Sequence, residues 1–110
     1  MTRRHALLTA LALTACTVGS AGCAGRAPRA YTVTIGEMRF TPASLSVRPG
    51  DTVEWVNTDL VPHTATARDG VFDSKTIAAG SSWRWTVRAQ GTVRYTCTVH
   101  PTMSALLQVG

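Results

Sequence analysis

Toward the C-terminal end of the sequence, Tyr95-Thr96-Cys97-Thr98-Val99-His100-Pro101-Thr102-Met103 sets a thiol, an imidazole and a thioether at every third position. A second imidazole, His63, follows Leu60-Val61-Pro62 well upstream. Taken singly, these residues are unremarkable: a lone cysteine is ordinarily a small buried hydrophobe, a lone histidine a surface or hydrogen-bonded residue, a lone methionine part of a core. Together they make one thiolate, two imidazoles and one weak thioether. That set suits copper, because a trigonal His2Cys arrangement with a distant axial methionine accommodates both Cu(I) and Cu(II). Cys97 would supply the thiolate, His63 and His100 the ring nitrogens, and Met103 the axial sulfur. With every position filled by protein, none stays open for a substrate, so the chemistry expected is one-electron transfer and not catalysis. A binuclear centre would need a second cysteine beside Cys97. No carboxylate pair and no nucleophile–base pair argues for hydrolysis.

Such ligands must be carried by a frame that converges them. Tyr31-Thr32-Val33-Thr34-Ile35 alternates and is rich in β-formers, and Gly36-Glu37 breaks it. Leu45-Ser46-Val47 alternates again and stops at Arg48-Pro49-Gly50-Asp51, where proline presets φ and glycine permits φ > 0. Thr52-Val53-Glu54-Trp55-Val56-Asn57, His63-Thr64-Ala65-Thr66-Ala67, Ser82-Trp83-Arg84-Trp85-Thr86-Val87, Thr92-Val93-Arg94-Tyr95-Thr96-Cys97 and Leu106-Leu107-Gln108-Val109 read as further strands. Residues 71–77 read as irregular or edge-like. About eight short strands separated by turn signals predict an all-β sandwich. Cys97 then ends one strand, and His100 and Met103 lie on the short loop into the last, curled with the help of Pro101. His63 anchors the set to another strand. Trp55, Trp83, Trp85, Phe40 and Met38 are expected in the core or on a sheet face, and Asp51 and Glu54 in solvent.

The chain has 110 residues, enough for one domain. Arg3 and Arg4 precede an apolar run from Ala6 to Ala15, and small residues follow up to Cys23, the pattern of an export signal. Residues 1–23 are assigned to that signal, 24–30 to a short stalk and 31–110 to the folded domain. The twin arginines resemble a twin-arginine export signal. Leu13-Thr14-Ala15-Cys16 and Ser20-Ala21-Gly22-Cys23 both resemble a lipoprotein cleavage site, Cys23 giving the more usual signal length, so Cys23 or Cys16 is the candidate lipidation point. The expected place is the periplasm or the outer face of a membrane, with a tether by signal or lipid. The formal charge of +5 is misleading: from Tyr31 onward seven basic residues face six acids, a difference of +1. No basic face for a nucleic acid is visible. Cys97 is the one cysteine of the domain, so it has no disulfide partner there, and a free thiol in an oxidising compartment is a liability unless something occupies it.

The segment from Gly91 to Met103 resembles the cupredoxins, the small type 1 blue copper proteins. Its three-residue spacings, with Pro101 after the histidine, resemble the amicyanin branch. Met38-Arg39-Phe40-Thr41-Pro42, Val47-Arg48-Pro49-Gly50-Asp51-Thr52-Val53-Glu54-Trp55-Val56-Asn57 and Val61-Pro62-His63-Thr64 stand in the order and spacing of amicyanin- and plastocyanin-like domains. The resemblance implies a Greek-key β-sandwich, one copper ion, and an electron-carrier role. It also implies that the backbone N–H of Thr64, where the family often has asparagine, donates to the Cys97 sulfur. Asn57, Thr64 and Pro101 are accordingly expected around the ligands. Ala105 stands where the family often has glycine.

Leu60, Val61, Pro62 and Pro101, with Met103, are expected to cluster at the ligand end. An apolar patch there around the His100 ring edge would dock redox proteins transiently, whether a dehydrogenase, a cytochrome or an oxidase. Two other readings remain open at this stage: copper trafficking or storage without electron transfer, and a metal-free β-sandwich interaction domain.

Overall fold

The computed structural model describes residues 26–110. The signal assigned to residues 1–23, with Cys16 and Cys23, lies outside the described residues. Eight strands make up the fold: β1 (Ala30–Gly36), β2 (Arg39–Thr41), β3 (Ser44–Val47), β4 (Thr52–Asn57), β5 (Thr66–Ala67), β6 (Ser82–Thr86), β7 (Gly91–Cys97) and β8 (His100–Val109). They form two four-stranded sheets, ordered β2-β1-β4-β6 and β3-β8-β7-β5. This is the all-β sandwich expected. The chain crosses between sheets after β2 and again after β3, so β4 returns to lie parallel to β1, and β3 lies parallel to β8.

Alternation sets the core. Val53, Trp55 and Asn57 of β4 point inward, as do Val33 and Ile35 of β1 and Val93, Tyr95 and Cys97 of β7. Trp55 and Tyr95 meet edge to face at 5.5 Å, and Phe40 meets Tyr95 edge to face at 4.8 Å. Phe72 packs beside Trp55 at 5.1 Å and Trp85 at 4.7 Å. Such offset and edge-on geometries add to the gain from burial. The Trp55 Nε1 and Tyr95 Oη atoms have no hydrogen-bond partner among the described residues. Burial raises the Tyr95 hydroxyl pKa to about 12, and the nearby Trp55 indole draws it back only in part.

Several expectations are corrected. The 63–67 stretch does not alternate: His63, Thr64 and Ala65 are all buried, because this segment runs between the sheets. Only Thr66–Ala67 is a strand, and His63 pairs with Ile77 as an isolated bridge. Met38 is 46% exposed and not part of the core. Asp51 is not solvated but 1% exposed. Its carboxylate accepts two hydrogen bonds from the Arg26 guanidinium, at 2.8 Å each, and one each from the N–H groups of Arg29 and Arg48. The Arg26 hydrogen bonds hold the Asp51 carboxyl far below the usual carboxylate range, against the opposing effect of burial. Arg26 and Arg29, in the stretch expected as a stalk, therefore contact the domain. Glu54, the other acid expected in solvent, is half-buried and paired with Arg84.

The register fixes two poles. Ala30, Thr52 and Thr86 lie side by side at one end of the first sheet, and Ile35 and Asn57 at the other. In the second sheet Val47, Gly91 and Val109 mark the first pole, and Cys97 and His100 the second.

Candidate metal centre

The second pole gathers the chemistry. On β7 the chain takes one step, from Thr96 to Cys97, while on β8 it takes four, from Ser104 back to His100, since Thr96 faces Ser104 and Cys97 faces His100. The three extra residues, Pro101, Thr102 and Met103, form a wide bulge in the hairpin. This differs from the loop expected between the strands: β8 begins at His100 itself, and Thr98–Val99 make the turn. A bulge re-aims side chains that regular pairing would send to alternate faces. Pro101 sits where β8 has no neighbour on its second side, so its missing N–H breaks no ladder bond.

His63 arrives on the inter-sheet segment, outside both sheets. Its backbone N–H donates to the Ile77 carbonyl at 3.1 Å, and its carbonyl accepts from the Ile77 N–H at 2.7 Å. Asn57, fully buried, holds the approach: its amide donates to the carbonyls of Val61 (2.9 Å) and Ile77 (3.0 Å), and its side-chain oxygen accepts from the Asp59 N–H at 3.0 Å. Asn57 thus shapes the 58–62 loop.

The donor atoms converge. Cys97 Sγ lies 3.6 Å from His63 Nδ1 and 3.7 Å from His100 Nδ1. One donor atom from each of the three residues lies within 4.8 Å of the others. Metal–thiolate and metal–imidazole bonds of about 2.3 and 2.0 Å, meeting near 120°, would separate sulfur from nitrogen by about 3.7 Å. The donor set therefore fits a trigonal metal ion. Cys97 and His63 are fully buried and His100 is half-buried. Met103 is 3% exposed, at the inner end of the bulge. It lies beneath the pole, inside the exposed apolar residues.

The Thr64 N–H donates to Cys97 Sγ at 3.3 Å, the bond the resemblance implied. The Thr64 hydroxyl adds another: it accepts from the Thr98 N–H at 2.9 Å and lies 3.0 and 3.1 Å from the hydroxyls of Thr66 and Thr98. A side chain from the inter-sheet segment is thereby fastened to the turn between Cys97 and His100.

Asp59 was missed in the sequence. Its Oδ2 lies 2.7 Å from His63 Nε2. Its two oxygens also accept from the N–H groups of Glu37 (2.8 Å) and Met38 (3.2 Å). Those residues form the β1–β2 turn with φ of 53° and 59°, a left-handed pair that normally selects Asn-Gly. Burial would push the Asp59 carboxyl up, but the Met38 and Glu37 N–H groups and the His63 ring hold it below the usual range. A carboxylate on Nε2 fixes the imidazole with Nδ1 free to bind a metal. The available signal was a carboxylate in a polar turn just before a ligand histidine.

The patch residues gather at this pole. Leu60 is 96% exposed, Val61 42% and Val99 57%, and Pro62 and Pro101 are exposed beside them. Val99 was not singled out in the sequence; it lies in the Thr98–Val99 turn.

Comparison with known proteins agrees with this geometry. The family described as copper binding proteins, plastocyanin/azurin family, matches residues 28–110. Amicyanin-alpha of Methylorubrum extorquens is 32% identical over 96% of this chain and 98% of its own length. The amicyanin of Paracoccus denitrificans is 32% identical over 67% of this chain, and the chain spans 60% of that relative's length. A solved structure of the Cu(I) form of an amicyanin point mutant superposes with a TM-score of 0.70 at 30% identity, covering 79% of this chain and 88% of that one. The cofactor is one copper ion. The chain belongs to the plastocyanin/azurin family of copper binding proteins.

Proposed function

We propose that this chain is an extracytoplasmic one-electron carrier whose copper would be held by His63, Cys97 and His100, with Met103 as a weak fourth donor. The observation that carries the reading is the placement of the Cys97 sulfur 3.6 and 3.7 Å from two imidazole Nδ1 atoms. Bound there, copper supplies a one-electron couple, Cu(I)/Cu(II). The chain's own residues do the rest. Asp59 orients the His63 ring, the Thr64 N–H stabilises the thiolate sulfur, and burial of Cys97 and His63 excludes water from the donors. A site fixed this way from one hairpin and from the inter-sheet segment would change little between oxidation states, which favours electron exchange over copper handover.

Electrons would leave through His100, the half-buried ligand. Leu60, Val61, Pro62, Val99 and Pro101 surround this end with an apolar surface suited to brief contacts with a dehydrogenase, cytochrome or oxidase. The apolar run and the Cys16 or Cys23 signal support export and a membrane tether.

Addition of Cu(II) to the purified protein tests the reading. An intense thiolate-to-copper absorption band with a narrow copper hyperfine splitting, absent in Cys97→Ala, is the expected result. A colourless protein, or a spectrum indifferent to that variant, overturns it.

A further inference from the structure

The pole opposite the metal centre carries an unbalanced charge. Asp51 gathers the backbones of Arg29 and Arg48 through its carboxylate. The Gly50 N–H donates to the Val87 carbonyl at 2.8 Å, and the Val87 N–H to the Asp51 carbonyl at 2.7 Å, which brings Arg88 to the same end. Four arginines, at 26, 29, 48 and 88, thus meet one side-chain carboxylate, that of Asp51, a side-chain balance of +3. Asp69 shares a cavity wall with Arg88, but its carboxylate accepts from the Val71 N–H. Counting Asp69 leaves +2. Arg29, Arg48 and Arg88 are exposed, and none has an ion pair among the described residues. The metal pole, with Glu37 and Asp59 against Arg39, stands at −1. Between Arg26, Arg29, Tyr31, Arg48 and Gln108 lies an open notch of about 390 Å³, wide enough for a phosphodiester headgroup.

The first described residue, Arg26, is fastened to this same pole by its two 2.8 Å bonds to Asp51. The preceding 25 residues, with the apolar run from Ala6 to Ala15, therefore join the domain here and not near the copper ligands.

We propose that this arginine pole is a docking surface for anionic phospholipid headgroups, which stands the domain on the bilayer with the copper end pointing away. The proposal rests on the membrane-tether reading for its geometry. Arginine clusters beside a membrane attachment gain roughly a kilocalorie per charge on an anionic surface. Three free arginines would thus favour the docked orientation by on the order of a hundredfold at low salt, and screening would remove most of that in half-molar salt. The docked domain offers its apolar, half-buried His100 end to partners in solution.

The test uses the full chain, with 100% phosphatidylcholine vesicles or vesicles of equal parts phosphatidylcholine and phosphatidylglycerol. Flotation reports attachment, and amide hydrogen exchange reports orientation. The expected result is flotation with both, with exchange at residues 27–29, 48–50 and 88–90 slowed several-fold by phosphatidylglycerol only. That slowing should vanish in half-molar salt and in the triple variant Arg29→Gln/Arg48→Gln/Arg88→Gln, while residues 58–62 and 98–101 exchange alike on both vesicles. Flotation with both but no difference in exchange, or protection at 58–62, overturns the docking pole and leaves the tether standing. Flotation with the anionic vesicles alone, lost in the triple variant, removes the tether and keeps the pole. Flotation with neither overturns both.

Discussion

Replacing Thr64 by valine keeps the shape of the side chain and the backbone N–H that reaches Cys97 Sγ, and deletes only the hydroxyl. That hydroxyl accepts the Thr98 N–H at 2.9 Å and lies 3.0 and 3.1 Å from two further hydroxyls. A net hydrogen bond is worth about 1 kcal/mol, and a buried donor left unmade costs about 1–3. Thr64 is buried, but Thr98 is exposed and water can reach its N–H. The cost therefore belongs at the lower end, about 1–2 kcal/mol. For a domain of this size that lowers Tm by roughly 5–12 °C. Thermal unfolding of the copper-free protein measures it directly. The copper-loaded visible spectrum should keep its thiolate band, because the N–H bond to Cys97 persists, and amide exchange at Thr98 should accelerate. An unchanged Tm, or loss of the thiolate band without loss of stability, would refute the assignment of the hydroxyl as a fastener and of the N–H as the group that serves the sulfur.

Asp51→Asn should lower stability at neutral pH, since it removes the charged acceptor shared by the Arg26 guanidinium and the Arg29 and Arg48 N–H groups. The Asp51 carboxyl titrates far below its unfolded value near 3.9. Its stabilisation is thus complete above about pH 4 and is lost as pH falls from there toward the folded value. Urea unfolding between about pH 4 and 2 should show a shallower pH slope in the variant, and an equal slope counts against the pairing. Phe72→Ala opens a cavity between Trp55, Trp85 and Tyr95 and should lower stability by about 3 kcal/mol in denaturant titrations. Leu60→Asp places a charge on the most exposed apolar residue at the metal pole. It should slow electron exchange with a partner at least tenfold and leave the copper spectrum unchanged, and unaltered exchange rates would dismiss the patch. Asp59→Asn should weaken copper binding about tenfold, read by competition with a chelator, because the His63 ring loses its carboxylate partner.

Most of the frame was legible because its strands obey one rule. From Val33 to Trp55 and Val93 to Cys97, alternation tracks burial, and Arg48-Pro49-Gly50-Asp51 and Gln90-Gly91 punctuate it as turns should. The ligands were legible because their chemistry is rare at that spacing. What escaped the sequence was decided by contacts between distant segments. The 63–65 stretch alternates in residue type, yet it lies buried between sheets. Glu37-Met38 does not look like a left-handed turn, because the Asp59 carboxylate that holds it comes from another loop. Asp51 reads as a solvated turn residue, because nothing local reveals that Arg26 and the Arg29 and Arg48 amides close over it. The basic pole was invisible for the same reason: Arg26 and Arg29 were counted with the stalk, Arg48 with a turn, and nothing local joins Arg88 to them.

The division of ligands between segments bears on the order in which the chain can assemble. Cys97, His100 and Met103 belong to one hairpin, β7–β8, whose pairing needs only a short loop closure. His63 is held by Ile77 and, through Asn57 at the end of β4, by a strand whose parallel pairing with β1 joins residues far apart in sequence. Contacts of low sequence separation form sooner than those that must first close a long loop. A thiolate, an imidazole and a thioether can thus be in place on a nearly local unit before the second imidazole arrives. Metal captured at that stage would be a folding template, its affinity rising as His63 docks, so that refolding with Cu(I) present should be faster than refolding without it.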